Sequence, residues 1–171
     1  MARTVILPIA AVLGLLLATR ASHAAMAPIV QDAETPHYQM ELTVGPVERM
    51  YMQFQAARLK PKEGEVIMSG HMAPMSVTSS TPTGVGMRHL ELQVTNKDDG
   101  SPVPNAKVSI TIIDSMSTQP VIVPVAVMHG VDEDETMLHY GNNVMLSPGH
   151  HRVIATVNGE RATFDVNIPM M

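Results

Sequence analysis

The chain has 171 residues, with 16 acidic side chains against 11 basic ones and a formal charge of −5. That balance argues against a nucleic-acid binder, which needs a basic face. The absence of Cys excludes a disulfide framework, a thiolate nucleophile, an iron–sulfur cluster and a Cys-type zinc site, and 3% aromatic content argues against a stacking platform for sugars or bases.

The first element in chain order is a targeting segment. Arg3 supplies a positive charge, Val5 to Ala18 is an apolar run interrupted by Pro8, and Ser22-His23-Ala24 places small residues at the −3 and −1 positions of a cleavage site. The run falls short of the roughly 20 residues that a membrane span needs. Residues 1–24 therefore read as a Sec signal peptide cleaved after Ala24, with an uncleaved anchor as the alternative, and the protein is expected in the periplasm. No Cys follows the apolar run, so the segment is not a lipoprotein signal. The chain left after cleavage is more acidic, because Arg3 and Arg20 are lost and no acid is.

Residues 25–36, with Pro28 and Pro36, read as a flexible arm, and the domain is expected over 37–171. Tyr38 to Val44 alternates as a strand. Val47 to Lys60 fits a strand through Met50, Met52 and Phe54, and a helix through Met50, Phe54 and Ala57. Glu65 to Ser69 is a short strand, and 70–86 is a Gly/Pro/Ser/Thr-rich loop holding His71, Met72 and Met75. Leu90, Leu92 and Val94 then alternate with polar residues, as do Val108, Ile110 and Ile112. Val121 to Met128 is β-branched, and Pro124 marks it as an edge strand or bulge. After the acidic run Asp132 to Glu135 come a short strand at Asn142 to Leu146 and two alternating strands. These last carry His151, Val153, Ala155 and Val157, then Ala162, Phe164, Val166 and Ile168, joined at Asn158-Gly159. Short strands at roughly ten-residue spacing predict an all-β, antiparallel, immunoglobulin-like sandwich of about seven strands. Leu92, Val94, Val108, Ile110, Val153, Phe164 and Val166 are expected in its core.

With Cys absent, 15 Met and 8 His dominate the ligand chemistry. Thioether sulfur suits Cu(I), and imidazole suits copper, iron and zinc, so a site of both types favours exchangeable copper. Five places bring Met and His together: His37 with Met40, His71-Met72 with Met75, Met87 with His89, Met128-His129, and Met137 with His139. Met87 and His89, two apart in a strand, share a face, and Met137 and His139 do likewise if extended. Met40, Met50, Met52, Met68, Met116 and Met145 are assigned to the core or its margin, because with two Phe and no Trp something must fill the sandwich. His150 and His151 read as solvated. The candidate ligands are His89 and His139, supported by Met87, with His71, Met72 and Met75 as a mobile group. Glu91 shares a face with His89 and is either a supporting carboxylate or an exposed strand acid. Neither His89 nor His139 is expected in the core. Asp132 to Glu135 lacks the EF-hand spacing, and no nucleophile elbow, HExxH, GxGxxG or P-loop is present, so no enzyme is expected.

Residues 86–168 carry a family resemblance. Met87-Arg88-His89-Leu90-Glu91-Leu92-Gln93-Val94 and Asp99-Gly100-Ser101-Pro102-Val103-Pro104-Asn105-Ala106-Lys107-Val108 resemble immunoglobulin-like YtkA-type secreted domains. Leu138-His139-Tyr140-Gly141-Asn142-Asn143-Val144-Met145 and Pro148-Gly149-His150-His151 resemble the periplasmic ferrous-iron transport protein family. The resemblance implies a β-sandwich that binds copper and iron through Met, His and acidic side chains beside an inner-membrane iron permease. It implies His89 and His139 as metal ligands and Met87 as the matching methionine, while Glu41 or His37 would stand for the family's N-terminal ligands. The expected function is a periplasmic metal-binding carrier or accessory of a transport system, with copper as cofactor and iron as the alternative metal. Its partner would be an inner-membrane metal permease or another periplasmic protein, and a homodimer stays open. The other functional reading is a non-metal interaction module that docks on a partner protein.

Overall fold

A computed structural model describes residues 27–69, 86–117, 119–131, 133–134 and 136–170. Residues 1–24, read above as a signal peptide, and the group His71, Met72 and Met75 lie outside the described residues.

Among the described residues, eleven strands and one short helix follow in order: β1 (Ile29–Glu34), β2 (Tyr38–Pro46), β3 (Met50–Met52), α1 (Gln53–Leu59), β4 (Val66–Ser69), β5 (Met87–Asn96), β6 (Val108–Asp114), β7 (Val121–Val123), β8 (Ala126–Gly130), β9 (His139–Met145), β10 (Gly149–Val157) and β11 (Glu160–Ile168). They form a seven-stranded sheet in the order β1-β2-β5-β9-β8-β4-β3 and a four-stranded sheet in the order β11-β10-β6-β7. All pairings are antiparallel except β3 with β4. The all-β sandwich expected from the alternation is the observed fold, with more strands than the pattern suggested.

The core between the sheets takes alternate residues of each long strand, which is what period-two patterning demands. Leu92, Val94, Ile110, Val153, Phe164 and Val166 are buried there as expected, and Val108 is partly buried against them. Met40 fills the same core, whereas Met116 is 92% exposed and Met145 59% exposed, so neither is a filler. His151 corrects another expectation. It is buried facing inward on β10, with Nε2 bonded to Ser147 O at 2.8 Å.

The expected flexible arm is instead an edge strand. β1 pairs along its whole length with β2, and Gln31 Nε2 donates to Asp165 O of β11 at 2.5 Å. The ambiguous stretch 47–60 resolves into both of its alternatives, with β3 followed by α1. Gln55 Oε1 accepts the Met52 N–H at 2.9 Å where the helix starts, and Lys60 ends it at a positive φ of 49°. The apolar run 121–128 divides at Pro124. β7 stays with the four-stranded sheet and β8 crosses to the seven-stranded one. Proline has no N–H to give a ladder, so the chain changes sheets there, and Asn142 Nδ2 donates to its carbonyl at 2.6 Å.

A second apolar cluster, Met50, Val66, Met68, Ala126 and Met128 with Met52 packed against it, is separate from the main core. It lies on the outer face of the seven-stranded sheet, since Met128 pairs with His139 and Ala126 with Gly141, both of which alternate with the inward-facing Tyr140.

Candidate functional site

On β5 the inward residues are Leu90, Leu92 and Val94, so His89 and Glu91 point to the outer face. On β9 the inward residues include Tyr140 and Val144, so His139, Gly141 and Asn143 point outward too. The β5–β9 register sets His89 opposite Asn143, Glu91 opposite Gly141 and Gln93 opposite His139. The two histidines singled out by the sequence therefore share one face of adjacent strands, with Glu91 between them.

Both are buried, at 2% and 1% exposure, which corrects the expectation that neither lies in the interior. β9 also starts at His139 rather than at Asn142, and Met137 precedes the strand in a turn, 44% exposed, instead of sharing a face with His139. Met87 does share the face of His89, two positions along β5, and pairs with Met145. His37 is bonded to Glu160 at the far turn of β1 and β2, while Met40 faces the core. These last two do not form a shared site.

Asn143 sets the state of His89. Its Oδ1 accepts the backbone N–H of Glu48 at 3.2 Å, and its Nδ2 donates to the Glu48 carbonyl at 2.7 Å, which fixes the amide orientation. The same Oδ1 lies 3.1 Å from His89 Nδ1. An amide oxygen only accepts, so His89 Nδ1 carries the proton and Nε2 presents a lone pair. Burial holds the His89 pKa down, to about 4, despite the Asn143 bond. Burial also lowers His139.

The lone pair of His89 Nε2 faces carboxylates. Glu48 Oε2 is 3.8 Å away and Glu91 Oε2 is 3.9 Å away. Glu91 Oε2 is also 3.5 Å from His139 Nε2, and Glu133 Oε2 is 3.6 Å from His139 Nδ1. His89 Nε2 and both ring nitrogens of His139 are buried without a hydrogen-bond partner. Glu48 and Glu91 have pKa values pushed up to about 7, each by burial first and then by neighbouring carboxylates. Glutamates crowd the adjoining cleft of about 270 Å³, which His139 also lines: Glu48, Glu63, Glu65, Glu91 and Glu133. The raised carboxyl values record crowded, partly desolvated negative charge beside unprotonated imidazole nitrogens, a strain that a bound cation would relieve.

Among the described residues, no group of three or more His, Asp or Glu side chains is gathered closely enough to hold a metal ion as it stands. The sequence reading named His89, His139 and Glu91 but missed Glu48, Glu133 and Asn143. Glu48 lies within the stretch of ambiguous period, Glu133 lies in a charge run that reads as solvated, and Asn143 acts only through His89 across the ladder and the distant Glu48 backbone.

A comparison with known proteins finds no matching family model, no matching curated protein and no matching solved structure.

Proposed function

We propose that this chain is a periplasmic metal-binding protein that carries copper, with iron as the alternative cargo, for a transport system in the inner membrane. The observation that carries this reading is the set of buried, unpartnered imidazole nitrogens of His89 and His139 facing the carboxylates of Glu48 and Glu91 across 3.5–3.9 Å. Those separations are too long for hydrogen bonds. Two ligands about 2.1 Å from one ion lie about 3.4 Å apart in a tetrahedral arrangement, so a small inward swing of the carboxylates would bring them to bonding distance. Glu48 and Glu91 are the adjustable members, with side chains 29% and 17% exposed against 2% for each imidazole. The acidic cleft draws cations toward the site. Two imidazoles with carboxylates form a borderline-to-hard donor set, which suits Cu(II) and Fe(II). The resemblance of residues 86–168 to periplasmic iron-transport proteins supports the choice of cargo and the permease as partner.

The test is titration of the metal-free chain with Cu(II) and with Fe(II), following heat and stoichiometry. One ion per chain is expected, with binding strongly weakened in a Glu48→Gln, Glu91→Gln double variant that keeps its circular dichroism spectrum. Absence of stoichiometric binding of either ion would rule the reading out.

A further inference from the structure

The pairing register of the seven-stranded sheet aligns a second set of donors. Met52 of β3 pairs with Met68 of β4, Met68 pairs with Met128 of β8, and Met128 pairs with His139 of β9. Registered partners share a face, and neighbouring strands lie about 4.8 Å apart. Three thioethers thus stand side by side on the outer face, with an imidazole at the end of the row. Strands ordinarily fill such positions with β-branched or aromatic residues. The adjoining positions of this same cluster do so in part, with Val66 beside Met68.

Two further observations point to a ligand rather than to filling alone. His139 at the end of the row is 1% exposed, and neither of its ring nitrogens has a hydrogen-bond partner, although Nε2 and Nδ1 lie 3.5 and 3.6 Å from carboxylates of Glu91 and Glu133. The acidic cleft borders the row without including its methionines, since it is lined by His139 at the end of the row and by Val66, two residues before Met68 on β4. Met68 and Met128 are 3% and 0% exposed, whereas Met52 is only half-buried, so the row is dry inside and open at one end.

We propose that Met52, Met68 and Met128 form a soft-metal site for a univalent d¹⁰ cation of the Cu(I) class, bordered by His139. Thioether sulfur selects Cu(I), whereas carboxylate oxygen does not. The site thus differs in kind from the imidazole–carboxylate cluster, and its methionines are placed by the strand register whatever ion that cluster takes. The two share His139, so one sheet face offers hard-to-borderline donors on one side of that imidazole and soft donors on the other.

The probe is Ag(I), which has the charge and softness of Cu(I) without its redox chemistry. Full-length chain labelled with ¹³C at the methionine ε-methyls is titrated with silver nitrate in a chloride-free buffer. The expected result is that the Met52, Met68 and Met128 methyl resonances move together and saturate at one ion. A Met52→Leu, Met68→Leu, Met128→Leu variant keeps volume and apolarity, so it should retain the circular dichroism spectrum and lose stoichiometric Ag(I) binding. Zn(II) titration of the same variant, read at the His89 ring, reports separately on the imidazole–carboxylate cluster and should be unchanged. The site is overturned if the three methyls stay in place while Ag(I) binds elsewhere or not at all. It is equally overturned if the folded triple variant binds Ag(I) like the parent. Should the triple variant not fold, the methyl shifts of the parent chain decide by themselves.

Discussion

Asn143 contacts three groups of the site through one amide, and its removal is the sharpest residue-level probe. Without it His89 is free to place its proton on Nε2, and the backbone of Glu48 loses both of its anchors. Supporting partners of this kind are worth about 10–100-fold in metal affinity. Asn143→Ala should therefore weaken Cu(II) binding by about that factor in a titration, and ¹⁵N shifts of the His89 ring should report a changed tautomer. Glu91 gives a pH test on the metal-free chain. Its folded pKa is raised to about 7, so between the ordinary carboxylate range and pH 7 the folded state holds a proton that the unfolded chain has released. The stability linked to that proton is present below about pH 4.5 and is lost as pH rises through 7. Gln cannot lose it. Glu91→Gln should thus gain stability relative to the parent between pH 4.5 and 8, on the order of 1–3 kcal/mol, by denaturant melts at each pH; a difference that does not change with pH would contradict the assignment. At this scale His89 and His139 were legible because each sits beside a Met in an alternating or motif-bearing stretch. Asn143 and Glu48 were not, because their roles depend on partners 54 and 95 residues away.

β9 is the element that makes the site, and Gly141 is the residue that lets β9 lie where it does. A Cβ at 141 would fall 1.8 Å from Leu90 O and 2.8 Å from Leu90 C, both backbone atoms that cannot move aside cheaply. Gly141→Ala should therefore part β5 from β9 and destabilise the chain by about 3 kcal/mol or more, seen as a lowered denaturant midpoint, with loss of metal binding. β5, β6, β10 and β11 were readable from sequence because each shows one face to the core and a more polar face outward. β9 was placed three residues late because His139, Tyr140, Gly141 and Asn142 are buried in succession, which erases the alternation. β1 was missed for a different reason. Its residues 29–34 alternate half-buried and exposed, and its order comes from β2 and from Gln31 reaching β11. The methionine row could not be read at all, since its members come from three strands and only the sheet register aligns them.

At the scale of the whole molecule, the sandwich is unequal. The four-stranded sheet covers one face of the seven-stranded sheet and buries the apolar core. The outer face, stiffened by two cross-strand ladders, holds the imidazoles, the carboxylates and the methionine row on neighbouring strands. Rigid strands position the buried nitrogens, and the more exposed glutamates adapt, a division of labour suited to an ion that binds and leaves. Among the described residues no helix is long and apolar enough to cross a membrane. If the chain is exported as its first 24 residues suggest, intact mass of periplasmic material should show Ala25 as the first residue; full-length chain in the membrane fraction would favour an anchor. The central claim is the metal site, and anomalous diffraction at the copper edge from copper-soaked crystals tests it most directly. The expected result is a peak within about 2–2.5 Å of both His89 Nε2 and His139 Nε2 with a Glu91 or Glu48 oxygen beside it; a map with no peak between those imidazoles, at copper concentrations that saturate the protein in solution, would contradict it.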